Sequence, residues 1–500
     1  MQSQTPAQGP RLGFQNTYAR LPERFFVRQD PAPVATPTLL WFNPALASQI
    51  GIAADALEPA TLADIFGGNL VPADAEPLAM AYAGHQFGGF SPQLGDGRAL
   101  LLGEVTGSDG VLRDVQLKGS GRTPFSRMGD GLAPLGAVLR EVIVSEAMAA
   151  LGIPTTRALA AVATGGRVVR EEVEAGAVLT RVARGHVRVG TFQYFAARRD
   201  VEALRALADY TLSRNQGITD AGADAGALLF EKVISGQADL IARWMAVGFI
   251  HGVMNTDNMS LACETIDYGP CAFMDGYDPA RVLSSIDHGG RYAYANQPAI
   301  GGWNLARLAE ALLPILHPEE EAALKIAQDL LDTYPSQFAA AYQAEFSKKL
   351  GLATARDGDD TLIKDLLTVM ADAGADFTLT FRALCNVPAA SAQPADDGEI
   401  RALFQDAAPL DAWLSRWRER VGTERADAPR MAEMAGVNPA VIPRNHKVNQ
   451  AIAAAQSGDF APFHGLNDVL ATPFQAPPPG MGYDLPPRPD ERVYQTFCGT

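Results

Sequence analysis

Apolar positions in the first 190 residues come in short runs broken by glycine, which is the pattern of strands and tight turns. Ala99–Val105 and Val111–Lys118 predict two strands joined across Gly107-Ser108-Asp109-Gly110. Leu135–Leu151 has helical spacing throughout. Arg157–Val162 and Arg167–Glu171 predict strands on either side of Thr164-Gly165-Gly166, and Ala177–Val182 predicts another. From Thr191 onward the period becomes helical. Long amphipathic stretches cover 302–349, with shorter ones at 359–385, 397–420 and 446–456. Pro473–Pro489 predicts an extended, proline-rich arm. Residues 1–75 mix turns and short helices around Pro31, Pro33 and Pro37, which suggests an extension wrapped on a larger body. The chain contains no internal repeat. The expected plan is α+β: an extension (1–75), a strand-rich lobe (76–190), a helical lobe (191–470), and an arm (471–500) ending near Cys498.

One polar stretch interrupts the helical part, His251-Gly252-Val253-Met254-Asn255-Thr256-Asp257-Asn258, followed by Asp267-Tyr268-Gly269. Asp239–Ile250 predicts a helix before it. Met259–Ala262 and Thr265–Ile266 predict short strands after it. A hairpin there would bring Asn258 and Asp267 together, with Asp257 free beside them. Two hard oxygen ligands completed by phosphate suit Mg2+ or Mn2+. A solvated loop of Asn, Thr and Asp turn residues would give the same text.

Cationic positions bear on that choice. Gly95-Asp96-Gly97 predicts a tight turn, and backbone N–H groups beside Arg98 could approach phosphate oxygens there. An ordinary hairpin would look alike. Lys118 ends a strand among apolar neighbours and needs an anionic partner, for which Glu141 and Glu146 on the following helix are candidates. The strand lysine and helix glutamate together are a phosphate-positioning device. Arg181, Arg184 and Arg188 cluster in Leu-Thr-Arg-Val-Ala-Arg-Gly-His-Val-Arg, and guanidinium forks suit phosphate. Surface ion pairs are the plain alternative.

Composition narrows the partners. With 500 residues and 47% hydrophobic content the chain can bury a large core. A formal charge of −16 argues against non-specific binding of nucleic acid or anionic membrane. No apolar run approaches membrane-spanning length, and the N-terminus lacks a signal-peptide core, so a cytoplasmic location is expected. A monomer is the working expectation for assembly. Cys263, Cys271, Cys385 and Cys498 have no metal-ligand spacing. Cys498 sits on the arm, and a disulfide to Cys263 or Cys271 under oxidation would tether that arm beside the polar loop. His85, His251 and His288 lack paired spacing, which favours structural hydrogen bonding.

A glycine turn, strand lysine and helix glutamate, followed by a helical lobe with a polar loop, resemble the two-lobed protein-kinase plan. Asp267-Tyr268-Gly269 stands where kinases carry Asp-Phe-Gly. The usual base position, two residues after the histidine, is Val253. Met80–Arg98, Gln116–Gly131, His251–Asp267 and Asp287–Tyr292 closely resemble the selenoprotein O family of kinase-like proteins over essentially the whole chain. That resemblance implies a protein adenylyltransferase that binds ATP in a flipped orientation and transfers AMP to Ser, Thr or Tyr hydroxyls of proteins. It puts ATP on Gly95, Gly97, Arg98, Lys118, Asp130, Gly131, Arg181, Arg188 and Asp267. It also makes Asp257 the proton acceptor and gives the divalent metal to Asn258 and Asp267. Rival readings are a conventional kinase and a nucleotide-binding pseudokinase scaffold.

Overall fold

The computed structural model describes residues 7–390, 397–422 and 424–497. Its N-terminal part is built on an antiparallel sheet and its C-terminal part is helical. The strands are β1 (Phe26–Arg28), β2 (Thr38–Phe42), β3 (Leu78–Met80), β4 (Ala99–Thr106), β5 (Leu112–Lys118), β6 (Ala133–Pro134), β7 (Arg157–Val169) and β8 (Val173–Ala183). Their spatial order is β1-β3-β4-β5-β8-β7-β2, with β6 beside β8. Both outermost strands come from the first 75 residues, so that segment is stitched into the sheet.

Side chains alternate across a strand, and the two faces of the sheet fill differently. Val115, Leu117, Val178 and Leu102 pack against Leu62 and Phe66 of the helix Pro59–Gly67. On the opposite face Leu179 and Ala177 meet Leu139 and Val142 of α1 (Leu135–Ala150). Val448 and Phe463 of two C-terminal helices close the same cluster. Each large apolar side chain buried there contributes about 1.5–3 kcal/mol. The register places Leu179 opposite Lys118 and Arg181 opposite Gln116. With period two, Gln116, Lys118 and Arg181 therefore share the face that α1 covers. Three polar residues are thus turned into an otherwise apolar layer, where they need partners.

Three local expectations are corrected. Thr164-Gly165-Gly166 does not separate two strands: β7 runs through it with a register shift between Ala163 and Arg167. Gly165 absorbs the irregularity at φ +69°, and the chain reverses later, between Val169 and Val173. The helix before the polar loop is Ala225–Ala246 and stops short of Ile250. Gly248, at φ +69°, turns the chain, and Phe249–Ile250 pairs with Ala272–Phe273 as a short ladder. Met259–Ile266 forms no hairpin. Ser260 bridges Arg188 and Thr265 bridges Thr155, so each half of this stretch is pinned to a different element.

The helical part contains Val189–Ala196, Val201–Gln216, Ala225–Ala246, Gln297–Leu316, Glu320–Leu331, Tyr334–Leu350, Asp359–Ala373 and several shorter helices. Among the described residues, no helix is long and apolar enough to cross a membrane. The proline-rich arm has no helix or strand, and its end docks back on the body. Thr496 N–H donates to the Leu283 carbonyl (2.6 Å), Ser285 N–H donates to the Thr496 carbonyl (2.9 Å), and Thr496 Oγ1 donates to the Pro270 carbonyl (2.5 Å). Cys263, Cys271 and Cys385 are free thiols. Cys498, the residue expected to tether the arm, lies outside the described residues.

Candidate active site

A cleft of about 820 Å³ opens between the sheet and the helical part. Gly95, Gly97, Arg98, Lys118, Asp130, Gly131, Arg181, Arg188, Asp257, Asn258 and Asp267 all line it. Residues from five separate stretches of sequence therefore meet on one surface.

At its base Lys118 Nζ donates to Glu141 Oε2 (2.6 Å) and to Asp267 Oδ1 (2.8 Å). Arg181 Nη1 reaches Glu141 Oε1 (3.3 Å) and Asp267 Oδ1 (2.8 Å). Its Nη2 is held by Gln116 Oε1 at 2.6 Å. Arg188, which precedes the helix Val189–Ala196, donates to Asp267 Oδ2 (3.1 Å) and to the Asp257 carbonyl (2.7 Å). Its guanidinium also lies over the Tyr82 ring, 4.6 Å from the centroid. Burial alone would raise the Asp267 carboxyl, but Lys118, Arg181 and Arg188 outweigh it and hold the group well below the usual carboxylate range. Asp267 itself adopts φ +65°, an uncommon backbone for a non-glycine residue. Of the two glutamates considered for Lys118, Glu141 is the partner; Glu146 pairs instead with Arg157 at 2.6 Å. Arg184 leaves the cluster, its Nη2 donating to the Asn215 carbonyl at 2.7 Å.

Asp257 and Asn258 lie on a single 3-10 turn, Thr256–Asn258. Asp257 Oδ2 accepts from Gln86 Nε2 (3.1 Å), while the buried Oδ1 has no partner. Burial pushes its carboxyl up to about 6, against the lowering effect of the Gln86 bond and Arg188. Gly84 packs directly on this group: a Cβ there would sit 2.5 Å from Oδ1. Asn258 Nδ2 donates to the Val253 carbonyl at 3.1 Å, which leaves the amide oxygen as the acceptor for a ligand. Val253 is buried and lines the cleft near the acids.

The glycine turn closes the opposite end. Gly95 adopts φ +75°, and a Cβ there would fall 2.3 Å from the Phe125 ring, so only glycine fits. Asp130 is tied by Arg170 through contacts of 2.8 and 3.1 Å. Among the histidines, His251 donates from Nε2 to the Ile266 carbonyl at 2.9 Å and is structural. His85 Nδ1 meets Gln193 Nε2 at 2.8 Å, and His288 is exposed. Sequence reasoning missed Gln86, Asp96 and Tyr82. Asp96 is buried, accepts from Met80 N–H (3.1 Å) and Gln116 Nε2 (3.2 Å), and is pushed up to about 6 by burial despite Arg188. The only available signal was its place inside the glycine turn.

No group of three His, Cys, Asp or Glu side chains is placed to hold a metal ion among the described residues. The oxygen donors of Asn258 and Asp267 nevertheless suit a hard divalent ion whose remaining ligands come from phosphate and water. Three buried cations converging on one carboxylate, with the Asp257 and Asn258 side chains beside them, form a site suited to phosphate groups.

A profile of the family described as protein adenylyltransferase SelO matches residues 10–471, and the chain belongs to that family. Its relatives agree. The protein nucleotidyltransferase YdiU of Rhodopseudomonas palustris (strain BisB5) is 59% identical over 490 residues, covering 97% of this chain and 99% of that one. The protein of the same name from Rhizobium rhizogenes (strain K84) is 57% identical over 495 residues, covering 99% and 98%.

Proposed function

We propose that this enzyme transfers AMP from ATP to Ser, Thr or Tyr hydroxyls of other proteins and releases pyrophosphate. The observation that carries the reading is the convergence of Lys118, Arg181 and Arg188 on Asp267 at the base of the cleft. We read the fold as a kinase-like pair of lobes, with nucleotide entering in the flipped sense. Lys118, Arg181 and Arg188 then grip the β- and γ-phosphates, so that pyrophosphate is the leaving group. The glycine turn and Arg98, with Asp130 and Gly131 across the cleft, complete the nucleotide site.

In the transfer, the acceptor oxygen bonds to the α-phosphorus as the bond to the bridging β-oxygen breaks. Negative charge grows on the departing pyrophosphate, where the three cations stabilise it. The hydroxyl proton passes to the Asp257 carboxylate, which lines the cleft. A carboxyl near 6 accepts it close to neutral pH. Val253 at the usual kinase base position is no obstacle, because Asp257 does that work. Asn258 and Asp267 would hold Mg2+ or Mn2+, which supplies Lewis-acid neutralisation of phosphate charge when bound. We place the enzyme in the cytoplasm, a reducing compartment that suits the three free thiols among the described residues.

Parallel incubation of the full chain and an acceptor protein with α-labelled and γ-labelled ATP tests this, with each metal in turn. Covalent label from the α-position alone is expected; label from the γ-position would make the enzyme a kinase. Arg188→Ala should weaken ATP by about 1.5–3 kcal/mol and AMP far less, since AMP lacks the outer phosphates. Equal loss for both, read by calorimetry, would remove Arg188 from the polyphosphate site.

A further inference from the structure

The rim of the cleft next to Asp257 is a two-strand hairpin, Gly84–Gln86 with Gly89–Ser91. It is fastened to the catalytic loop at three successive residues. His85 N–H donates to Thr256 Oγ1 (2.6 Å), Gln86 Nε2 to Asp257 Oδ2 (3.1 Å), and Phe87 N–H to Asn255 Oδ1 (3.1 Å). Its tip is Phe87-Gly88, with φ of 51° and 87°. Positive φ at both central residues is the type I′ turn, which selects Asn-Gly or Asp-Gly. Phenylalanine is a poor choice there: its bulky side chain makes a left-handed backbone costly, and Asn would relieve it. Turn chemistry therefore does not account for Phe87. Neither does burial, since Phe87 and Phe90 are 41% and 43% exposed. A local rule broken at an exposed aromatic beside a reactive group marks a functional surface.

Arg291 stands next to this tip. Its guanidinium lies 4.6 Å over Trp303 and 5.7 Å over Tyr292, and the Phe87 ring packs 5.2 Å from Tyr292. No carboxylate pairs with the Arg291 guanidinium among the described residues; Asp287 accepts only from the Arg291 and Tyr292 backbone N–H groups, at 2.9 and 2.8 Å. The neighbouring Arg307, 5.0 Å from the centre of the Trp303 ring, is already matched to Glu310 at 2.5 Å. Exposed aromatics with an arginine held flat on a ring are the composition of a protein-binding hot spot.

We propose that Phe87, Phe90 and the Arg291–Trp303 shelf dock the protein acceptor, and that Arg291 selects an acidic residue close to the modified hydroxyl. This rests on the transfer reading for the identity of the partner. The charge logic is short-range. The net charge of −16 repels acidic proteins at a distance, but that field is screened beyond roughly 8 Å at physiological salt. Selection thus occurs at contact, where an unmatched guanidinium on an aromatic shelf offers a bidentate site for carboxylate. Phe87 meanwhile covers the adjacent backbone and excludes water from the hydroxyl as it approaches Asp257.

Fluorescent peptides carrying one serine flanked by glutamate, glutamine or lysine test this directly. Their binding to the full chain is read by anisotropy with a non-hydrolysable ATP analogue and Mn2+, so that no turnover is needed. The glutamate peptide should bind about tenfold tighter than the lysine peptide, the value of one charged hydrogen bond. Arg291→Glu should invert that order. Phe87→Asn, which suits the turn better, should keep its circular dichroism spectrum and bind all three peptides about tenfold more weakly. Equal binding of the three by the wild type, no binding at all, or an unchanged order in Arg291→Glu would overturn the proposal. Selective binding without α-label transfer would instead remove the transferase reading and leave the docking surface standing.

Discussion

Replacing Asp267 with alanine would leave Lys118, Arg181 and Arg188 without the carboxylate they share. Glu141 still serves the first two, but Arg188 keeps its contacts with the Asp257 carbonyl and the Tyr82 ring and, among carboxylates, a distant Asp96 (4.0 Å). The ligand-free chain should lose about 3 kcal/mol of stability in thermal unfolding, as breaking a buried ion pair does. Metal-free ATP should bind more tightly by calorimetry, because the freed cations no longer have a competing anion. AMP transfer should be lost. Asp257→Asn carries the opposite signature. Its carboxyl is buried, raised to about 6 and half unpartnered, so a neutral isostere is tolerated by the fold. Melting should occur no lower than in the wild type, while transfer slows by roughly 10²–10⁴-fold, the usual worth of a general base.

On the scale of elements, Glu264 shows how the stretch after the catalytic loop is held. It is buried, accepts from Arg184 N–H at 2.9 Å, and is pushed up to about 7 by burial despite the Arg184 and Arg113 charges. The folded chain therefore binds this proton more tightly than the unfolded chain does. The stability this gives is fully present below the ordinary glutamate range and is lost as pH rises toward 7. Across that window the loss approaches about 3 kcal/mol. Glu264→Gln keeps the backbone contact and should flatten the pH dependence of chemical denaturation between pH 5 and 7. Legibility in the sequence follows the same scale. Lys118 could be matched in advance to the helix that carries Glu141 and Glu146, because a strand end and the next helix are local and periodic, but choosing Glu141 needed the structure. Arg181 could be singled out as a cation, but its place opposite Gln116 needed the strand register. Gln86 could not be assigned, since its partner Asp257 is 171 positions away and nothing local marks it. The hairpin expected after Asn258 failed for a related reason: Ser260 and Thr265 find long-range partners that outcompete pairing with each other.

For the whole molecule, the arm and the cleft are coupled through the segment after Asp267. Thr496 holds Pro270, Leu283 and Ser285 by three hydrogen bonds. A chain ending at Asp490 should exchange the Ser285 amide hydrogen markedly faster than the full chain, read by mass spectrometry, with β4 and β5 unchanged. The ion cluster at the base of the cleft has a different reach. The site is paired within itself: Asp267 occupies Lys118, Arg181 and Arg188, the cations that the proposed reading gives to the outer phosphates, and they in turn occupy the oxygens that it gives to a metal. On that reading an arriving polyphosphate would release the carboxylate by counter-ion exchange, and an arriving metal would release the cations. Each ligand would vacate the other's seat, and nucleotide and metal should therefore bind with positive heterotropic coupling. Linkage then requires the metal to raise nucleotide affinity by the same factor as nucleotide raises metal affinity.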